Sequence, residues 1–450
     1  MAEKGKTMSL VLQFMIMATS FSGMYLGGEK IGYTIIDTKP TESGYILKEI
    51  VFIRLGMMGA KRSMETSSVY ELDREYRLKK FSFELESETQ KISSNGEIKE
   101  RELIYSVKTG NRERSERIKL DGDVYVSQSI PFLVSTLRKN LLLSVFDPTI
   151  FAVNQAKVGI IKETGDSIKI ETELLGAKST TWVGKNGEIL RSEEPMGVLI
   201  VKENKKKALE FGETSPEILT MFAIPAGMEV KNPRNIIYLK AIVKGRFKKT
   251  DRQKLSGDTL TVKSIGPDEK LIPRSPPGSG CSRVKPRPVP EELKRYLEDT
   301  PLIQVDDRRI RNKSARIIRG TRDNWEKVKE LVNWTSQNVE DFPSATIPSA
   351  LDVLEILKGD CNEHSTLFCA LSRAAGIPTD ICVGLALMDG YFYYHAWNKV
   401  WVGRWVEVDP TFNQIIADAT HITLEEGGLK DWAKIMDLVG NIEIRVIEYR

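Results

Sequence analysis

Gly359-Asp360-Cys361-Asn362-Glu363-His364-Ser365 leads into Leu367, Phe368, Leu371 and Ala375, and then into Gly376 ahead of Pro378. Gly359 reads as the left-handed cap of a preceding helix and Asp360 as the N-cap of the next, whose apolar stripe runs on to Gly376. Cys361 therefore falls in a first helical turn. Unpaired backbone N–H groups and the positive end of the helix dipole lie there, and both favour thiolate and lower a cysteine pKa. The same N–H groups suit the negative oxygen of a tetrahedral intermediate. A polar run from Asp360 to Ser365 argues against a cysteine used merely as a small buried hydrophobe.

A thiolate nucleophile needs a partner that holds and later delivers a proton, and imidazole is the usual choice near neutral pH. The chain has three histidines. His395 lies in Tyr393-Tyr394-His395-Ala396-Trp397-Asn398-Lys399-Val400, which reads as a strand with His395, Trp397 and Lys399 on one face. Trp405-Val406-Glu407-Val408 reads as a second strand that ends at Asp409, just before Pro410. Antiparallel pairing of the two would set Asp409 beside the imidazole, where a carboxylate fixes the tautomer and stabilises the imidazolium. His364 shares a helical face with Cys361, so it points alongside the thiol and is expected to pack or to edge the substrate. His421 reads as structural, Cys369 and Cys382 as core, and Cys281 as an exposed thiol. Trp325, Trp334 and Gln337 are candidates for a second oxyanion donor. No Cys-x-x-Cys or paired-His spacing occurs, so neither a metal nor another cofactor is expected.

On these residues the sequence resembles the transglutaminase-like superfamily, whose core is a papain-like fold. The resemblance rests on Gly359-Asp360-Cys361 opening a helix and Arg373-Ala374-Ala375-Gly376-Ile377-Pro378 closing it, then on His395-Ala396-Trp397-Asn398 and Val408-Asp409-Pro410-Thr411. It extends through Asn413-Gln414 and Asp418-Ala419-Thr420-His421-Ile422, as in bacterial members, and covers roughly Glu291 to Leu424. The family implies thiol chemistry on amides, either crosslinking or proteolysis and deamidation. By resemblance Cys361 is the nucleophile, His395 the general base and acid, and Asp409 the orienting carboxylate, with a protein or peptide as substrate.

Elsewhere the chain reads as antiparallel strands from about Tyr25 to Leu209, with alternation in Tyr76 and Leu78, in Phe81, Phe83 and Leu85, and in Ile168 and Ile170. Asn95-Gly96 and Asn186-Gly187 are expected hairpin turns, the second with Thr180 to Val183 and Glu188 to Leu190 as arms. Leu133, Leu137 and Leu141, at four-residue spacing after Pro131, predict one helix against the sheet. The Lys202 to Lys207 run reads as a solvated loop. A small β segment from about Pro216 to Ser264 gives way to a linker rich in proline and glycine, with Pro273, Pro276, Pro277, Gly278, Gly280, Pro286, Pro288 and Pro290. Beyond it the period is helical: Leu293, Tyr296 and Leu297, then Trp325, Val328, Leu331, Val332 and Thr335, then Ala350, Val353, Leu354 and Leu357.

Over 450 residues, 66 Lys+Arg against 62 Asp+Glu leave a formal charge of +4, which does not suggest a nucleic-acid partner. Four cysteines are too few for a disulfide scaffold. An uncharged apolar run after Lys6, ending in Ala18-Thr19-Ser20, has the layout of a secretory signal, and no other stretch suggests a membrane span. An extracytoplasmic protein is expected, with a cytoplasmic one as the alternative. The expected architecture is α+β. The expected domains are a signal segment at residues 1–20, a β-rich domain at 21–215, a small β segment and linker at 216–290, and a transglutaminase-like catalytic domain at 291–450. The last is a helix bundle packed on an antiparallel sheet. The expected activity is a thiol-dependent amide hydrolase with a Cys361-His395-Asp409 triad. A protein-glutamine acyltransferase and a non-catalytic binding module are the alternatives.

Overall fold

The computed structural model describes residues 18–450 except 58, 89, 111, 213–214, 265–288, 344–346, 348, 429–430 and 432. The expected leader thus lies outside the described residues but for Ala18–Ser20, which open a strand; the proline- and glycine-rich linker and Cys281 also lie outside them. The chain divides into two compact units, at residues 218 and 219. Among the described residues no helix is long and apolar enough to cross a membrane.

The first unit is built on one sheet of fifteen strands. Its first strand, Ala18–Leu26, pairs antiparallel on one side with Glu29–Pro40 and on the other with Leu199–Glu203, so the two ends of the unit meet at its centre. Alternation works as expected in Leu78–Ser87, where Leu78, Phe81, Phe83 and Leu85 are buried between exposed neighbours. Tyr76 instead sits in the turn before that strand with a positive φ of 62°.

Three local expectations need correction. Asn95-Gly96 is no turn: both residues lie inside the Lys91–Lys99 strand, and Gly96 pairs with Phe81 on one side and Tyr105 on the other. A Cβ there would overlap the Tyr105 Cβ at 2.5 Å, so the glycine serves close strand packing. The expected leucine helix stops at Leu137, because Arg138 turns left-handed with φ 45°, and Leu141 begins the next strand. The Lys202–Lys207 run ends a strand and starts a short helix capped by Asn204, rather than forming a loop. Asn186-Gly187 does turn between Ala177–Gly184 and Ile189–Glu193, with Gly187 at φ 77°.

In the second unit the four helices Arg308–Ile317, Asn324–Asn338, Ala350–Ile356 and Cys361–Ala374 cover one face of a five-stranded sheet. The expected stripe of the second of these is buried at Trp325, Val328, Leu331, Val332 and Thr335. These helices meet Ile381, Val383, Ala396, Val400, Val406 and Val408 from the sheet. The opposite face packs, through Leu385, Leu387, Phe392 and Ile422, on a four-stranded sheet that contributes Leu239, Leu260 and Ile444. That second sheet holds Tyr238–Lys244, Gln253–Ser256 and Thr259–Lys263 together with the C-terminal Glu443–Tyr449. The sequence set these three strands apart with the linker. Alternate burial at Leu239, Ala241 and Val243 explains why they join the second unit, since they complete its core.

Candidate active site

Cys361 is the first residue of its helix. Asp360 caps that helix by accepting the Asn362 N–H at 2.8 Å, while Glu363 reaches back to the Asp360 N–H at 2.9 Å. This reciprocal box fixes the turn that carries the thiol. Gly359 contributes differently from expectation. The left-handed residue is Leu357, with φ 54°, and Gly359 instead makes room for the Glu363 side chain. Burial pushes the Asp360 carboxyl well above its usual range, and the neighbouring Glu363 carboxylate adds to this.

Cys361 is half-buried as a residue, and its sulfur receives the backbone N–H of Ala396, the residue after His395. The direction of its pKa differs from the sequence expectation. Desolvation, reinforced by the Asp360 charge, pushes the thiol well above its ordinary value, and the Ala396 N–H only offsets part of this. The resting sulfur is therefore a thiol.

His395 lies on the Tyr391–Trp401 strand, which pairs antiparallel with Trp405–Val408, so Asp409 emerges beside the ring. His395 Nε2 is 2.8 Å from Asp409 Oδ2. An ionised carboxylate only accepts, so Nε2 carries the hydrogen and Nδ1 remains as the basic nitrogen. Asp409 is fully buried and takes four donors: the Thr411 and Phe412 N–H groups on Oδ1, and His395 and His421 on Oδ2. Burial opposes its charge, but the two imidazoles and their hydrogen bonds hold its pKa well below the carboxylate range. The desolvated His395 ring has its own pKa lowered despite Asp409, so it rests neutral.

The ring is fixed by stacking as well. Phe412 lies parallel to it at 4.6 Å and Trp397 at 6.1 Å between centroids, and the Trp397 indole donates to Glu407 at 2.8 Å. The structure thus brings His395 and Asp409 into direct contact and sets Cys361 against the same strand. His364 is buried with both ring nitrogens near carbonyl oxygens, of Asp360 at 2.8 Å and Val339 at 3.2 Å, which is a packing role. Among the oxyanion candidates, Trp325 is buried in the helical core, Trp334 lies under the Lys313 ammonium at 4.8 Å, and Gln337 is exposed.

His421 is the residue the sequence reading undervalued. Its Nε2 bonds the same Asp409 oxygen at 2.9 Å, and its Nδ1 lies 3.3 Å from Asp418, which in turn pairs with Arg234 at 2.9 Å. Nothing in local spacing signals that a loop returns this ring to Asp409. The ligand atoms of His395, Asp409 and His421 lie within 4.8 Å of one another, close enough to hold a metal ion. Both imidazoles already aim N–H groups at one oxygen, so a cation would have to displace the hydrogen bonds that balance the buried charge.

Residues 311–410 match the family model of the Transglutaminase-like superfamily. The matched segment contains Cys361, His395 and Asp409 and ends before His421. Among solved structures, the chain is similar to a "Putative Cysteine Protease from Cytophaga hutchinsonii" at 17% identity and TM-score 0.33, over 48% of this chain and 86% of that one. It is also similar to a β-barrel-like protein of a domain of unknown function from Brucella abortus at 10% identity and TM-score 0.34, over 42% of this chain and 97% of that one. No curated protein matches the chain.

Proposed function

We propose that the second unit is a thiol-dependent amide hydrolase acting on protein or peptide substrates, with Cys361 as nucleophile, His395 as base and acid, and Asp409 as its orienting partner. The observation that carries this reading is the His395 Nε2 to Asp409 bond of 2.8 Å, which leaves Nδ1 as a base on the strand that contacts the Cys361 sulfur. In the first step the sulfur bonds to the amide carbonyl carbon while His395 takes the thiol proton. The backbone N–H of Cys361, which the Asp360 cap does not take up, is the helix-start donor toward the resulting oxyanion. His395 then gives its proton to the departing amine as the C–N bond breaks, which leaves a thioester on Cys361. Water, deprotonated by His395, releases the acid and restores the thiol.

The catalytic domain of this reading spans 291–450, and export of the chain, suggested by residues 1–20, goes with it. Incubation with a glutamine-containing peptide and a labelled primary amine tests the reaction. Ammonia or peptide release without label is expected, and it should vanish in Cys361→Ala and fall on the order of 10³-fold or more in Asp409→Asn. Label incorporation would replace hydrolysis with acyl transfer, and full activity in Cys361→Ala would end the thiol reading.

A further inference from the structure

We propose, building on the reading above, that His421 is a positioning residue which shares Asp409 with His395 and, backed by Asp418 and Arg234, keeps His395 in its neutral, proton-accepting form.

The geometry is a chain of alternating charge that runs from the half-buried Arg234 inward to the buried Asp409. Arg234 reaches Asp418 Oδ2 at 2.9 Å, Asp418 Oδ1 faces His421 Nδ1 at 3.3 Å, and His421 Nε2 and His395 Nε2 converge on Asp409 Oδ2 at 2.9 and 2.8 Å. His421 is fully buried, and Asp418 is nearly so. Asp418 is also held by the Thr420 backbone N–H at 2.7 Å, so its carboxylate stays in place. Arg234 also packs on Phe412, its guanidinium 4.2 Å from the centroid of the ring that stacks on His395.

Charge arithmetic then decides the protonation. Burial disfavours a charged His421, yet the Asp418 charge and the Asp409 bond more than compensate and raise its pKa, so it is the ring that carries the proton. Burial likewise opposes a charged Asp418, but His421 and Arg234 hold it ionised. Two carboxylates facing one imidazolium and one guanidinium are balanced. A proton on His395 would leave the cluster with an uncompensated buried charge. The titratable and charged groups facing His395 are thus Asp409, His421 and Arg234; those facing His421 include Asp409 and Asp418. A merely structural His421 would satisfy Asp409 equally well as a neutral donor, and then His395 would titrate higher.

The chain's three histidines make imidazole NMR titration of the intact protein a direct test that needs no turnover. In the wild type, His395 should titrate below 6.5 and His421 above it; the reverse order overturns the proposal. In His421→Gln, which keeps a donor toward Asp409 and loses the charge, the His395 titration should move up by about 1–3 pH units. Arg234→Gln, at a half-buried position, should move it in the same direction, whereas Arg234→Lys and the control His364→Gln should leave it in place. An unmoved His395 titration in folded His421→Gln and Arg234→Gln overturns the proposal. Loss of the hydrolase reading would appear instead in the Cys361→Ala assay, with these titrations intact.

Discussion

Phe412 lies flat on His395, with ring centroids 4.6 Å apart and planes 11° from parallel. The backbone N–H of the same Phe412 binds Asp409 Oδ1 at 3.1 Å, so one residue both orients the carboxylate and walls the imidazole. Removing the ring leaves the Asp409 contacts and frees the imidazole to tilt. Phe412→Ala is expected to lower kcat by roughly 10–100-fold with a smaller change in KM, because ångström-scale misplacement of a reacting group costs about that much. Phe412→Tyr should retain most of the activity. Equal kcat in Phe412→Ala and wild type would show that stacking does not position His395 as the proposed base.

The resting pair of neutral thiol and neutral imidazole sets the pH behaviour. His395 is held below 6.5 by desolvation, so it becomes a base only as pH rises through that lowered value. The acid limb of kcat/KM should therefore lie below 6.5. Desolvation pushes Cys361 above 9, so thiolate accumulates only at higher pH. Iodoacetamide labelling of Cys361 should keep rising through pH 9, without the plateau near neutrality that a preformed thiolate–imidazolium pair produces. A plateau between pH 5 and 7 would contradict the neutral pair.

Much of this site was legible because it is local. A capping acid and an apolar stripe announce the Cys361 helix, and period-two runs announce the strand that carries His395 and the one that ends just before Asp409. What escaped is carried by long-range packing. His421 meets Asp409 only through the fold of a loop, and Arg234 arrives from a segment that sequence patterning assigned elsewhere. The same limit applies to Gly96, where a turn dipeptide is overridden by the close approach of Phe81 and Tyr105. It applies also to the Cys361 pKa, since the helix end was visible in the sequence whereas the desolvation that outweighs it was not.

In the first unit, Glu49 is a half-buried acid bonded by the Gln128 amide at 2.6 Å, and desolvation raises its pKa to about 7, with a further push from Asp147. Its folded-state pKa exceeds the ordinary 4.5, so the folded unit binds more protons than the unfolded chain between those values. Stability of the unit should accordingly fall as pH rises from about 4.5 through 7. Glu49→Gln is expected to remove that slope and to stabilise the unit by about 2–3 kcal/mol at pH 8. Urea unfolding of wild type and variant at pH 5 and pH 8 measures it; parallel midpoints at both pH values would contradict the assignment.

Gly359 offers a separate handle on the proposed nucleophile without touching any of the proposed reacting groups. A Cβ at this position would overlap the Cβ and Cγ of Glu363, whose carboxylate closes the capping box on the Asp360 N–H. The clash is with the root of a side chain on a helix, so it cannot be relieved by moving a flexible tip. Gly359→Ala should expel Glu363 from the box and shift the first turn, at a cost of about 1–3 kcal/mol in stability. Glu363→Ala removes the same cap without the clash and should cost less, about 1 kcal/mol. Comparing the two by thermal unfolding, alongside the rate of Cys361 alkylation, separates the lost cap from the displaced turn. The alkylation rate should change more in Gly359→Ala than in Glu363→Ala, and equal rates would show that the thiol is not held by this packing.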